Sequence, residues 1–595
     1  MIYTPGKNLR ILLQTIVLMT VLFALLFSAL DHPVIGAPAE SGGIKVYCNG
    51  NFSGSTAFID THSGVGMVPL ALIEGLPGLR LNVRENQAWF SLNGRELTTT
   101  VGSSCYIMDG KQFNWRCGLQ PWKYGIAVPA RDLFEALGTS VQWDGENRAI
   151  YINAPVQPPA VPQRVTETVL PLRLAFTHEE QLWLLDADKA GAGPQQVSTP
   201  RVDRIIGWSH DGQWLAYLQR QGNDKFSGDL YLWVIAADGK QPQRLDDRPV
   251  VPGTPVWSPV ENAIAYQTCQ QADQESLNKS LELARRENEK WVNCALLSGG
   301  QQLGTGLAWF PDGQSLAISW VRSDKELPAI DRINLQGQTS RMFTLPLAEA
   351  GKIEDGIFVY EMAGLKLSPD GRYLACFLGV NSASLNADGM ALQVIDLQNP
   401  QTPFTVGGAL GYPEWLAWSP DSRQLACIMG CDRFASTGKQ LVMVELENGR
   451  FQVKNLGQPG MVDARPFWEP YAQRLFYARG QESQAWLEEG RHQEVRVPGQ
   501  QIWSNTDTGA QPLLTTPEST QADYPLSLSP DGRFLAVQRL NYFDLGSLYL
   551  FNTEDGNVVE LLDNLQTNCG YYGNYYPDTV SIYWIEAVQP SPILK

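Results

Sequence analysis

The segment CGYYGNYYPD, residues 569–578, places Tyr571, Tyr572, Tyr575 and Tyr576 within six positions. A phenol ring with an apolar face and one polar tip can stack on a sugar ring or anchor a protein interface. The same rings can equally pack inside a closing sheet, and both readings stay open. Nine cysteines form a second group, and an odd count leaves at least one unpaired if every other pair forms. Cys105 and Cys117 flank Asp109-Gly110, a strong hairpin-turn dipeptide, so facing strands would bring them within bridging range. Cys269 and Cys294 bracket the polar stretch QQADQESLNKSLELARRENEK, residues 270–290, which looks like a charged helical insertion whose base a second bridge could close. Cys376 and Cys427 stand at one repeat position, in LACF and LACI, and read as small buried hydrophobes.

Other chemistry is scarce. Five histidines give little for a His-based metal centre, and His62, His178 and His210 have no ligand spacing. Cys427 and Cys431 are four apart with no second ligand pair. The turns Asn386-Ala387-Asp388-Gly389 and Thr553-Glu554-Asp555-Gly556 offer oxygens that calcium uses, but hairpin turns have the same composition. The chain has no Gly-x-Ser-x-Gly elbow, no phosphate-binding glycine loop, no His-Glu-x-x-His and no Cys-x-x-Cys. No catalytic residue, resident metal or cofactor is expected. The balance of 45 basic against 62 acidic side chains, net −17, argues against nucleic acid, whose phosphates require clustered Lys and Arg.

These residues sit on two kinds of internal repeat. The first occupies residues 40–154, where VPLALIEGLPGLRLNVRENQAWFSL from Val68 returns as VPARDLFEALGTSVQWDGENRAIYI from Val128. Glu74 aligns with Glu135 and Asn86 with Asn147, each 61 positions on. Each copy reads as a short amphipathic helix followed by a hairpin, with Leu133, Phe134 and Leu137 on the apolar face of the second helix. Val128-Pro129, Leu133 to Gly138, Trp143-Asp144-Gly145 and Asn147-Arg148 resemble the copper amine oxidase N-terminal-like, or stalk, domain of exported bacterial proteins. That family's copper ligands belong to a separate catalytic domain which nothing here resembles, so the resemblance implies no copper. The Pro-rich run at 155–171, with Pro155, Pro158, Pro159 and Pro162, predicts a semi-rigid linker.

The second repeat fills residues 172–588. IGWSHDGQWLAYL, LAWFPDGQSLAIS, LKLSPDGRYLACF, LAWSPDSRQLACI and LSLSPDGRFLAVQ are the clearest units. Anchors Trp208, Trp257, Trp309, Leu367, Trp418, Trp468 and Leu528 follow one another at 49 to 60 residues. A unit of that length with four short strands is a propeller blade. In the Ser-Pro-Asp-Gly corner, Pro presets φ, Asp caps the turn and Gly takes positive φ. These units resemble the TolB-like, WD-type repeats of bacterial β-propellers. The expected fold is mostly β, a propeller of eight, alternatively seven, four-stranded blades behind a small α+β duplicated domain. Residues 172–199 look like a blade lacking its first strand, which TVSIYWIEAV, 579–588, would supply; 589–595 form a tail. TolB-like propellers also occur in prolyl oligopeptidases, but without the nucleophile elbow an oligopeptidase is not expected.

Residues 11–30 are uncharged and apolar, with Lys7 and Arg10 ahead and Ala37-Pro38-Ala39 behind. That order marks residues 1–39 as an export signal or a retained membrane anchor, and hence an extracytoplasmic protein touching the membrane only there. The expected role is a non-catalytic cell-envelope binding or scaffold protein whose propeller takes a protein, peptide or cell-wall glycan. A lactonase-like, metal-dependent hydrolase with its site in the propeller channel is the alternative.

Overall fold

The computed structural model describes residues 43–585 apart from 124, 155–159, 198–200, 223–227, 270–279, 299–301, 448–449, 471–473, 507–508 and 514–516. The expected export segment and the start of the linker lie outside the described residues. Among the described residues no helix is long and apolar enough to cross a membrane. The chain forms two compact units: one runs to Ala160 and includes Gln484–Arg496, the other comprises Val161–Ser483 and the residues from Val497 onward.

The N-terminal unit holds a seven-stranded and a five-stranded sheet. Its duplication is visible as strand, helical turn and hairpin repeated: Gly66–Pro69, Leu70–Leu72, Arg80–Arg84 and Gln87–Leu92, then Gly125–Pro129, Ala130–Ala136, Ser140–Asp144 and Ala149–Asn153. The second helix buries Leu133 and Phe134, with Leu137 behind them, as their spacing predicts. In the first copy the helix shrinks to a single 3-10 turn, because Gly75 and Pro77 follow it closely and neither sustains a helix. Asp109-Gly110 makes the expected tight hairpin, with φ of 51° and 70°, both left-handed. Its register sets Asn114, not Cys117, opposite Cys105, and the Cys105 thiol donates to Asn114 Oδ1 at 3.0 Å. Both Cys105 and Cys117 are free thiols here, and the expected bridge is not formed.

Gln484–Arg496 departs from the sequence reading, which ran it with the propeller. This segment lies between two strands of one blade yet folds as part of the N-terminal unit. Val83 N–H donates to Gly490 O at 3.1 Å, Gly490 N–H to Glu74 Oε1 at 2.7 Å, and Glu494 Oε1 accepts from Asn82 Nδ2 and Arg84 Nε at 2.7 and 3.0 Å. His492 Nδ1 meets Glu74 Oε2. Arginine, glutamate and histidine in a row read as a solvated loop, and only the assembled unit shows what they bind.

The second unit is a ring of eight four-stranded antiparallel sheets. Blade one takes Leu172–His178, Gln181–Asp186 and Gln195–Gln196 and receives Val580–Trp584 as its innermost strand. The closing strand and the expected count of eight blades are therefore as the sequence implies. Blades two to eight each run in chain order from the innermost strand outward, between Val202 and Gln566. Apolar clusters fill the spaces between neighbouring blades; Trp214, Leu232 and Tyr266 lie in the one between blades two and three.

Each anchor tryptophan does the same thing. The Nε1–H of Trp257 donates to Gly207 O at 2.8 Å, Trp309 to Val256 O at 3.0 Å, Trp418 to Lys366 O at 3.1 Å and Trp468 to Ala417 O at 3.0 Å. Each acceptor is on the innermost strand of the preceding blade. Trp208 reaches Ser581 O and Trp584 reaches Ser527 Oγ, which carries the series across the closure. Leu367 and Leu528, the two anchors without an indole, supply apolar packing alone. The corner also repeats: Ser368 Oγ donates to Asp370 Oδ1 at 2.6 Å, which accepts from Arg372 N–H at 3.0 Å, while Ser368 Oγ accepts from Tyr373 N–H at 2.9 Å. The set around Ser419 and Asp421 and that around Ser529 and Asp531 are alike.

Two expectations change on blade three. Ser280–Glu287, expected to be helical, is its third strand, with Ser280 to Ala284 all buried. Strong helix formers are overridden because both faces of this strand are covered in the ring. Cys269 follows strand Ala263–Thr268 and Cys294 lies on Lys290–Leu297, and Ser280–Glu287 runs between those two strands. Strands two places apart are about 10 Å from each other, beyond disulfide reach. Neither Cys269 nor Cys294 forms a disulfide among the described residues. Cys376 and Cys427 are fully buried as read, and burial pushes each thiol up to about 12. The described end of the linker is pinned rather than extended: Arg164 donates to the carbonyls of Thr166, Thr168, Ala187, Lys189 and Ala192.

Two outcomes follow. Trp468→Phe keeps the ring and removes the donor, so urea unfolding should lose about 1 kcal/mol with an unchanged m-value. Glu74 raises the pKa of His492, so their pairing contributes in full below the unfolded histidine pKa and fades as pH rises through the raised one. Glu74→Gln should therefore lower Tm more at about pH 6 than at about pH 9 in paired thermal scans.

Candidate functional site

After the outermost strand of blade eight, Val558–Gln566, the chain makes a small hairpin, Asn568–Cys569 with Tyr575–Tyr576, before entering blade one. Gly570 is required in it, since a Cβ there would lie 2.7 Å from the Tyr576 ring. Gly570 N–H donates to Asn574 O at 2.7 Å, and Gly573, at φ 88°, turns the tip.

The hairpin's partners fix its course. At its tip end, Ala435 N–H donates to Tyr572 O at 2.9 Å and Asn574 Nδ2 donates to Glu414 Oε1 at 3.1 Å, both on blade six. At its return end, Asn568 Nδ2 bonds both oxygens of Asp578 at 3.1 Å, and Asp578 lies in the field of Arg204 and Asp203 of blade two. Blades two and six stand four places apart in a ring of eight, so a segment joining them crosses the channel axis. The tyrosine tail is a strap over one end of the channel.

The four tyrosines have separate fates. Tyr575 is buried, its ring 4.5 Å from that of Tyr524. Tyr576 meets Tyr412 edge-on at 5.9 Å, and Tyr412 in turn meets Trp415 at 4.9 Å. Tyr572 packs edge-on to Phe434 and lies under the Arg433 guanidinium, whose Nη1 donates to its hydroxyl at 3.3 Å. Tyr571 alone points outward and is 83 % exposed. Three of the four tyrosines pack, across the channel end rather than within the closing blade, and Tyr571 is left exposed.

Charge gathers beneath the strap. Lys366 Nζ donates to Pro413 O at 3.2 Å and also to Leu416 O, and burial lowers its pKa to about 8 against the pull of Glu414. Burial raises the Asp578 carboxyl, partly offset by Arg204 and Asn568. Below the rim, Asp463 and Arg479 form an ion pair with both side chains fully buried, and Arg539 pairs with buried Asp523 in the same way. Asp388, in the turn with calcium-type oxygens, ends the short helix Ala383–Asp388 and is held by Arg433 at 2.6 and 2.8 Å. Among the described residues no three His, Cys, Asp or Glu side chains group as metal ligands.

The class defined by this architecture is an eight-bladed β-propeller carrying a small duplicated α+β unit. Residues 55–152 match the copper amine oxidase N-terminal domain, as the sequence resemblance implies. No curated protein is similar enough to match the chain. Among solved structures, dipeptidyl peptidase 4 of Porphyromonas gingivalis is 10 % identical over 67 % of this chain and 59 % of its own, with a TM-score of 0.43. TolB of Acinetobacter baumannii is 16 % identical over 62 % of this chain and 82 % of its own, with a TM-score of 0.27. A prolyl endopeptidase is 10 % identical over 63 % of this chain and 53 % of its own, at 0.39. The chain thus spans little more than half the length of the two peptidases.

Arg433 holds the strap through Tyr572 and is itself fixed by Asp388. Arg433→Ala should raise the amide exchange of residues 568–576 at least about tenfold by mass spectrometry, with the blade strands unchanged.

Proposed function

We propose that this chain is an exported, non-catalytic binding protein of the cell envelope. Its propeller recognises a protein, peptide or glycan at the strapped end of the channel, and the N-terminal unit serves for attachment. The observation that carries the reading is Tyr571, 83 % exposed on a hairpin held at its tip end by Ala435 and Glu414 and at its return end through Asn568. A large ring on an ordered base loses little conformational entropy on binding, which is how aromatic hot spots act. Export is supported by the uncharged run 11–30 behind Lys7 and Arg10. The role requires no resident metal or cofactor.

Co-sedimentation with purified cell-wall material tests it, using the chain from residue 40 onward and its Tyr571→Ala variant. Tyr571→Ala should weaken pelleting at least about tenfold while leaving Tm unchanged, as expected for an exposed hot-spot ring. Equal pelleting by both proteins removes Tyr571 as the contact. If neither pellets, the wall-glycan form of the reading fails and a protein or peptide partner remains.

A further inference from the structure

Arg465 lies on the innermost strand of blade seven, Met461–Trp468, and is only 3 % exposed. Its guanidinium has no hydrogen-bond or ion-pair partner among the described residues, and Nε is fully enclosed. Other arginines of the ring are different: buried Arg479 and half-buried Arg539 each grip an aspartate. An enclosed guanidinium without a partner is costly, so such a group is retained for something that arrives.

The backbone adds a second cost. Arg465 has φ 49°, in a bulge of the inner strand between Ala464 and Phe467. Blade five has the same bulge between Ala363 and Lys366, and there the position is Gly364, at φ 59°. Glycine adopts that conformation freely and arginine does not. Blade seven thus holds a strained, enclosed cation where its counterpart holds glycine.

The surroundings indicate the ligand. The Arg465 strand packs against the turn Pro413–Trp415 and against the innermost strand of blade eight, and the strap's Asn574 bonds Glu414 in that turn; Glu414 and Tyr524 both act on the Arg465 charge. Trp415, next to Glu414, is 1 % exposed, and its Nε1–H also has no acceptor among the described residues. Lys366 shares the field of the same Glu414. Glu414 is therefore shared between two buried cations, Lys366 and Arg465. Glu414 Oε1 is already taken by Asn574.

We propose that Arg465 and Trp415 form a binding site for a carboxylate that enters the channel end beneath the strap. A planar guanidinium and an indole N–H suit the two oxygens of a carboxylate. The carboxylate of a peptide terminus or of an acidic sugar has this chemistry. The inference does not depend on Tyr571 or on cell-wall binding.

The test uses acetate as the probe, acetamide as its neutral counterpart and chloride at matched ionic strength, with Tm and calorimetric titration as readouts. Acetate should raise Tm saturably, and acetamide and chloride should not. Arg465→Met should weaken acetate binding at least about tenfold. In buffer without acetate, Arg465→Gly should be at least as stable as the parent, because it removes both the unpaired charge and the left-handed arginine. An acetate effect no larger than that of chloride overturns the site. A clear loss of Tm in both Arg465→Gly and Arg465→Met without ligand also overturns it, by showing that the guanidinium serves the fold.

Discussion

The ring depends on an indole reaching backward. The anchor tryptophans of six blades, blade one included, donate Nε1–H to the innermost strand of the blade before, mostly to a backbone carbonyl. Innermost strands have a free edge toward the channel, and an unpaired carbonyl in so confined a place is expensive. The indole meets that need and also brings a broad apolar face to the seam between sheets. One residue type therefore sets the distance between neighbouring blades, and its repetition makes every blade a copy of the last. Where leucine replaces it, at Leu367 and Leu528, the seam relies on packing, and the neighbouring indoles keep the ring in step.

Closure is the other demand of a ring. Val580–Trp584 completes a blade whose other strands begin at Leu172, so both ends of the propeller meet in one sheet. The strand must be delivered from the rim of blade eight to the inside of blade one, and the chain could do so directly. It detours instead to blade six, laying the tyrosine hairpin across the channel end. That detour lays the hairpin against Glu414 and Tyr412 and leaves Tyr571 exposed.

The N-terminal unit shows how far apart in sequence the parts of a compact body can lie. Glu74 and Glu135 are equivalent by duplication, yet Glu74 receives Gly490 and His492 while Glu135 pairs with Arg131 on its own helix. The two copies have diverged according to what covers them. A segment inserted between two strands of blade seven therefore belongs to the N-terminal unit's fold, and a cut at the linker divides that unit from one of its own pieces.

Architecture was legible in the sequence because it is written in local, repeated terms. Tryptophan at about fifty-residue intervals, the Ser-Pro-Asp-Gly corner and two-residue alternation each need only a few neighbouring positions to act. Eight blades, the two-ended closure, the second helix of the duplicated unit and the Asp109-Gly110 hairpin all follow from such signals. The site does not. Whether Tyr571 is exposed and Tyr575 buried depends on blades six and eight, whose contacting residues lie 51 to 160 positions earlier in the chain (575 − 524 = 51 for Tyr524, 160 for Glu414). Ser280–Glu287 has helical composition, and its place between two strands made it a strand. Cys105 and Cys117 flank a turn, and the register of that turn chose Asn114 instead. Arg465 looks unremarkable in its repeat, since sequence shows neither a left-handed φ nor an enclosed charge without a partner. Those properties arise only when inner strands from several blades converge on one axis, and convergence is what tertiary structure alone decides.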